Sequence, residues 1–167
     1  MIPQARLKAG RERSALRHHP WIFGGAVAEL PVGITNGQVI EVVDSNGNFL
    51  CYSAYSQYSK IVLRNLAYEK ENYPDINWIR DRVHCAAALR LAAGIATRSN
   101  AWRVIFGEAD GLPGVIADVY CELVILQLST AWADENKQII AEACLAACGA
   151  TNVYERSDAD VRQLEGL

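Results

Sequence analysis

At 167 residues and 51% apolar content, the chain has room for one domain or two small ones and can build a core, which excludes a disordered tract. No apolar run approaches the ~18 residues of a membrane-spanning helix, and the basic, polar start lacks the apolar centre of a signal peptide. The net charge of −3 argues against a nucleic-acid binder only if it is evenly spread. It is not: residues 1–25 hold Arg6, Lys8, Arg11, Arg13 and Arg17 against Glu12 alone, a net +4 that leaves −7 for the remainder. A cytoplasmic protein is expected, and five cysteines without a regular framework suit a reducing compartment.

Residues 5–8 read as a short strand that leads through Gly10 into one or two helical turns, with Arg13, Leu16 and Arg17 at i, i+3 and i+4. Pro20 ends this helix. In the following Trp21-Ile22-Phe23, the two aromatics read as core anchors, with base stacking on Trp21 as the lesser reading. His18 and His19 have no Cys or carboxylate neighbours that would make a metal site, so phosphate or backbone contact suits them better. Four strand-like runs follow, at residues 26–30, 38–44, 49–55 and 61–66, and Asn46-Gly47 is a two-residue hairpin signal. Short strands at this spacing with one small helix predict a compact β-barrel of about 70 residues.

The polar segment 69–74 marks a boundary. A helix is predicted over 75–96, with Asp75 as N-cap and Ile76, Ile79, Val83, Ala86, Ala87 and Leu91 as its apolar stripe. Arg80, Arg82, Arg90 and Arg98 lie off much of that stripe, and His84, among apolar neighbours, reads as structural. The segment RVIFGEADGLPGVIADVY, residues 103–120, then predicts a hairpin: two β-rich runs flank a cluster of turn residues, with Leu112–Gly114 as a tight turn. Glu108 and Asp110 tempt an acid/base or metal reading, but without a His or third ligand they read as turn formers. A third strand at 123–128, a helix capped by Ser129 or Thr130 and stopped at Gly149, a strand at 152–155 and a helical start at 157–163 complete an α+β unit. Cys144 and Cys148 share one helix face without a second pair, so packing is preferred to zinc.

GEADGLPG at residues 107–114, with Asp118 and Tyr120 after it and then LVILQLS at 123–129, resembles the central segment of the bacterial 23S rRNA 5-methylcytosine methyltransferases that begin with a PUA domain. LKAGRERSALRHHPWIFGGAV at 7–27 and VYERSDADVRQLEGL at 153–167 stand at the expected places on either side. Val119 and Cys121 depart from the pattern, where the family more often has Arg and Gly. The resemblance implies a mixed α/β fold: a small PUA-like β-barrel over residues 1–70, then a central α+β domain over 71–167, incomplete at its C-terminal end. The family's Rossmann methyltransferase domain follows the Glu-Gly-Leu that ends this chain.

On this resemblance the chain is the RNA-recognition portion of an S-adenosylmethionine-dependent 23S rRNA cytosine-C5 methyltransferase, not catalytic as it stands. A free-standing RNA-binding module is the alternative. Lys8, Gly10, Arg11, Arg13, Arg17, His19 and Arg64 are the expected RNA-binding residues, with Gly10 letting the backbone approach the ligand. No catalytic, cofactor-binding or metal residue is assigned, since neither a Gly-rich turn after a Rossmann strand nor a thiolate motif is found. S-adenosylmethionine is expected for the full-length parent only. The implied partners are 23S rRNA, a catalytic domain in cis and a second copy in a homodimer, with no membrane. If the central unit also serves as a docking platform, an exposed apolar patch is expected on the second half.

Overall fold

The computed structural model describes residues 2–158 and 160–167. Its first half is a curled six-stranded sheet built from β1 (Gln4–Leu7), β2 (Trp21–Phe23), β3 (Val27–Glu29), β4 (Val39–Val43), β5 (Phe49–Tyr55) and β6 (Ile61–Ala67), in the order β2-β6-β5-β4-β1-β3. The short helix α1 (Arg13–Leu16) sits between β1 and β2. Ala5, Leu7, Ala15, Ile22, Ile40, Val42, Leu50, Cys51 and Leu63 make its inner core. Asn46-Gly47 does not form the two-residue hairpin. Asp44 N–H bonds the Asn48 carbonyl at 2.9 Å, and the Asp44 carboxylate accepts the Asn46 and Asn48 N–H groups at 2.8 and 2.9 Å. The Asp side chain thereby stabilises a longer loop.

The second half has α2 (Ile76–Ala92), α3 (Ile95–Arg98), β7 (Ala101–Phe106), β8 (Val115–Tyr120), β9 (Leu123–Leu128), α4 (Ala131–Glu135), α5 (Lys137–Cys148) and β10 (Asn152–Glu155), with a last 3₁₀ turn at Asp160–Glu165. Its sheet runs β10-β9-β8-β7, with only β10 parallel to its neighbour. The Asp75 carboxylate accepts the Trp78 N–H at 2.8 Å and starts α2 as the sequence predicts. Gly94 in the left-handed region separates α2 from α3, where one continuous helix was expected. The stripe is also narrower than expected. Ile79, Val83, Ala86 and Ala87 are buried, whereas Ile76 in the first turn and Leu91 in the last are exposed, because burial on α2 runs only from Trp78 to Ala87.

The turn at the head of the β7–β8 hairpin is as tight as predicted. Val115 N–H bonds the Leu112 carbonyl at 3.1 Å, with Pro113 and Gly114 between them. Gly114 has φ +77°, and a Cβ there would lie 2.3 Å from the Thr130 side chain, so both backbone and space demand glycine. Asp110 accepts the Phe106 N–H at 2.7 Å and pairs with Arg90, a structural role that matches its reading as a turn former.

The two halves share a core. Tyr52, Ala54, Leu66 and Ala67 of the first sheet pack in one cluster with Trp78, Ile79, Val104, Val115, Leu126 and Ile140 of the second half. This explains why central strand β5 is buried along Leu50–Ala54 without alternation: both of its faces are covered. At the edge of this contact Arg64, 9% exposed, donates from Nη1 to Glu108 at 3.2 Å and from Nη2 to Glu165 at 2.8 Å. Glu165, 1% exposed, also accepts from Ser56 Oγ, and the Glu165 carbonyl accepts from Asn36 Nδ2 at 2.8 Å.

Breaking a buried ion pair by removing one partner costs about 3–5 kcal/mol because it strands the other charge. Glu165→Ala leaves Arg64 with Glu108 as its remaining carboxylate, so the unfolding free energy from a urea titration is expected to fall by up to that amount, and an unchanged value would show that Arg64 finds water instead. Cys121, at φ +55° between β8 and β9, holds a left-handed conformation that costs a non-glycine residue roughly 1–2 kcal/mol. Cys121→Gly is expected to raise stability by about 1 kcal/mol, read in the same titration.

A candidate nucleic-acid interface

The basic residues of the N-terminal segment gather at one end of the first sheet. The chain leaves β1 at Lys8, turns at Gly10, forms α1 and re-enters the sheet through His18, His19 and Pro20. Gly10 has φ +77°, and a Cβ there would meet nothing within 4 Å, so this stretch of backbone faces open space. Between the loop and β2 lies a cleft of about 630 Å³, lined among others by Arg11, Arg13, Ser14, His19, Trp21 and Phe23.

Buried polar groups hold this end in place. Ser53 Oγ donates to Asn65 Oδ1 at 2.7 Å, which leaves Asn65 Nδ2 to donate to the His19 carbonyl at 2.8 Å. Tyr68 OH donates to the same carbonyl at 3.2 Å, and the His18 ring stacks on Tyr68 with centroids 4.1 Å apart. His19 Nδ1 lies 3.1 Å from the Trp21 backbone nitrogen and 3.2 Å from the Trp21 carbonyl oxygen, so the ring is held against the Trp21 backbone in either tautomer. Sequence reasoning missed the Ser53–Asn65 pair. Its signal was present, since a polar residue inside an apolar strand run must find a buried partner.

Lys8, Arg11, Arg13, Arg17 and His19 are all exposed. Among the described residues none of the four cations is in an ion pair, whereas Arg6, Arg64, Arg90, Arg103, Lys137, Arg156 and Arg162 all have carboxylate partners. The lysine ammonium meets only a backbone oxygen, the Gly25 carbonyl, at 3.0 Å.

Arg64 does not join this face. Its guanidinium is buried beneath the second half and engaged by Glu108 and Glu165, so it cannot meet a phosphate. Phe23 is likewise misplaced by the sequence reading. On a strand only every second side chain points inward, and in β2 the inward one is Ile22, which leaves Phe23 half exposed. Trp21 is partly buried, and its Nε1 donates to Glu108 at 2.8 Å. His84 is exposed, in a groove between α2 and α5 beside Arg80 and Glu142, rather than in the core.

The second half offers no cradle for S-adenosylmethionine among its described residues. The glycine run at 107–114 joins antiparallel strands, and the β9–α4 loop before the parallel strand β10 is Ser129-Thr130, without glycine. Thr130 Oγ1 is itself used: it donates to the Pro113 carbonyl and accepts the Ala133 N–H, at 3.0 and 3.2 Å. Nor does a thiolate present itself in the core. Burial pushes the Cys51 and Cys144 thiols up to about 12 and that of Cys148 up to about 11. A thiol whose pKa is raised by folding stabilises the protein fully below its unfolded value near 9, and that contribution is lost as the pH climbs above it. Stability is thus expected to fall between about pH 9 and 12. At pH 8 a thiol reagent should label Cys85 and Cys121, which are exposed, well before Cys51 and Cys144.

Residues 5–68 match the family described as PUA-like domain. The whole chain is 38% identical to ribosomal RNA large subunit methyltransferase I of Alteromonas mediterranea, covering 42% of that protein. Against the protein of the same name from Erwinia tasmaniensis the identity is 37% over 96% of the chain and 41% of the relative. A solved structure from Streptococcus mutans, described as a SAM-dependent methyltransferase, shares the fold over 94% of this chain and 41% of its own, with a TM-score of 0.79 at 16% identity. The chain thus spans about two-fifths of the length of the curated relatives it matches. Residues 5–68 thus resemble a PUA-like domain, and the chain along its length is similar to part of ribosomal RNA large subunit methyltransferase I.

Proposed function

We propose that this chain is the RNA-recognition portion of a 23S rRNA methyltransferase, with Lys8, Gly10, Arg11, Arg13, Arg17 and His19 as its RNA-contacting residues. The observation that carries this reading is a local cluster: Lys8, Arg11, Arg13 and Arg17 fall within ten residues of chain, all are exposed and none has an ion-pair partner among the described residues, and Arg11 and Arg13 line the cleft. Unpaired cations on one face attract phosphate while the acidic remainder keeps the net charge low. The name of the relatives supplies the ribosomal RNA of the large subunit as substrate class. Within this reading, residues 1–70 recognise RNA, residues 71–167 orient them, and methyl transfer from S-adenosylmethionine to cytosine C5 belongs to a further domain of the parent protein, in the cytoplasm.

The outer face of the second sheet favours an additional role for the second half. Phe106, Tyr120 and Tyr154 are exposed there, and Ile116 and Ile125 lie between them. Its charges are largely self-satisfied, since Arg103 engages Asp118 through two bonds of 2.8 and 2.9 Å. A face of this kind suits dry packing against a catalytic domain in cis rather than phosphate. Sedimentation of this chain separates that occupant from a homodimer, which would appear at twice the 18.4 kDa mass.

Anisotropy titrations with folded 23S rRNA fragments test the RNA reading. With three or four phosphates neutralised, log K against log salt is expected to fall with a slope of about −2 to −3, and each of Lys8, Arg11, Arg13 and Arg17 changed to Gln should flatten it by ~0.7. Salt-independent affinity, or full affinity in the fourfold variant, would overturn the assignment.

A further inference from the structure

From the cleft we infer a narrower ligand class: the site takes an unpaired nucleotide whose base stacks on Phe23, so that looped or single-stranded RNA is selected over continuous duplex. This rests on the RNA reading above and adds to it what the cleft selects. Phe23 stands at the end of an edge strand and is 51% exposed. Among the described residues it belongs to neither hydrophobic cluster and stacks on no other ring. A phenyl ring held outward on a strand with half of its surface still in water keeps a hydrophobic cost that folding has relieved only in part. A ligand with a flat apolar face relieves it.

The surroundings say which ligand. Trp21 lies two residues back on the same side of β2, with its indole tied to Glu108, and forms a second aromatic wall. Gly10 and Gly25 line the cleft with positions where an added Cβ would meet nothing within 4 Å, so no side chain fills the space beside the rings. The volume of about 630 Å³ is in the range of small-molecule sites, roughly 300–1,000 Å³. No carboxylate is among its lining residues, and Arg11 and Arg13 stand beside the aromatics without ion-pair partners. An apolar peptide would leave those two charges desolvated and unmatched. A nucleotide supplies a π-face for Phe23 and phosphates for the arginines together, while Ser14 Oγ and His19 Nε2 are polar groups available to a base edge.

The test uses the full chain with two RNA probes, a stem-loop carrying 2-aminopurine in its loop and the same stem closed as a blunt duplex. Phe23→Ala is expected to weaken the stem-loop by about 5- to 150-fold, the range for one stacked base, and to leave duplex affinity unchanged. Phe23→Trp should retain stem-loop binding, whereas Phe23→Leu, which keeps apolar bulk without a ring, should not. The 2-aminopurine fluorescence should be quenched by the native chain and not by the alanine variant. Arg11→Gln with Arg13→Gln should weaken both probes alike. If the arginine variant binds both probes as the native chain does, the RNA reading itself falls. If it weakens both while Phe23→Ala matches the native chain, or loses loop and duplex equally, the stacking inference alone falls.

Discussion

Arg64 is held by two carboxylates that arrive from distant parts of the chain, and the relation between the two halves of the molecule depends on that contact. Glu108 comes from the head of the β7–β8 hairpin and Glu165 from the last 3₁₀ turn, while Arg64 itself lies on β6. A guanidinium taken out of water loses several kcal/mol of hydration, and well-packed apolar residues would often serve stability as well. What the ions add is direction. Glu108 Oε1 accepts from both Arg64 and the indole of Trp21, whose residue is paired with Arg64 across β2 and β6. A movement of the hairpin would therefore carry the indole with it, and with the indole one wall of the cleft.

The same contact explains how a chain of net charge −3 can present a basic face. Several carboxylates of the second half are buried or paired, as Asp110 is with Arg90 and Asp118 with Arg103. Their charge is neutralised locally and contributes little field at the far end of the barrel. Lys8, Arg11, Arg13 and Arg17 then face Glu12 as the one carboxylate within their own segment. Distribution, set by the fold, decides the electrostatics more than the sum does.

Much of this was legible in the sequence. The strands at 49–55, 123–128 and 152–155 fall where period and turn residues place them, and Asp75 caps α2 through the bond that its position implied. Arg64 was not legible, for a physical reason. A charged residue in an apolar strand run reads as facing outward, and Arg64 does leave the barrel core, but a second layer covers that outer face and local sequence carries no record of it. Phe23 failed in the opposite sense. Trp-Ile-Phe is apolar throughout, so hydrophobicity alone cannot show that alternation sends only Ile22 inward. The two buried partners that fix the cleft, Ser53 and Asn65, announce themselves only as polar residues in apolar company, which says that each has a partner and not which one.

The cleft is in this way assembled from parts of unequal stiffness. Its floor is rigid: β2 is bonded to β6, His19 is pinned through its carbonyl by Asn65 and Tyr68, and Trp21 is anchored at its nitrogen. Its rim is made of long, solvated arginine and lysine side chains, which lose rotamer freedom whenever they are fixed on a ligand. Cations of that kind act early, by steering an approaching polyanion from a distance, and add less once it has docked. Rigid aromatic surface acts late, because it has no ordering cost left to meet. On this division, if RNA is the ligand as proposed, the basic rim would govern how fast it arrives and the aromatic floor how long it stays.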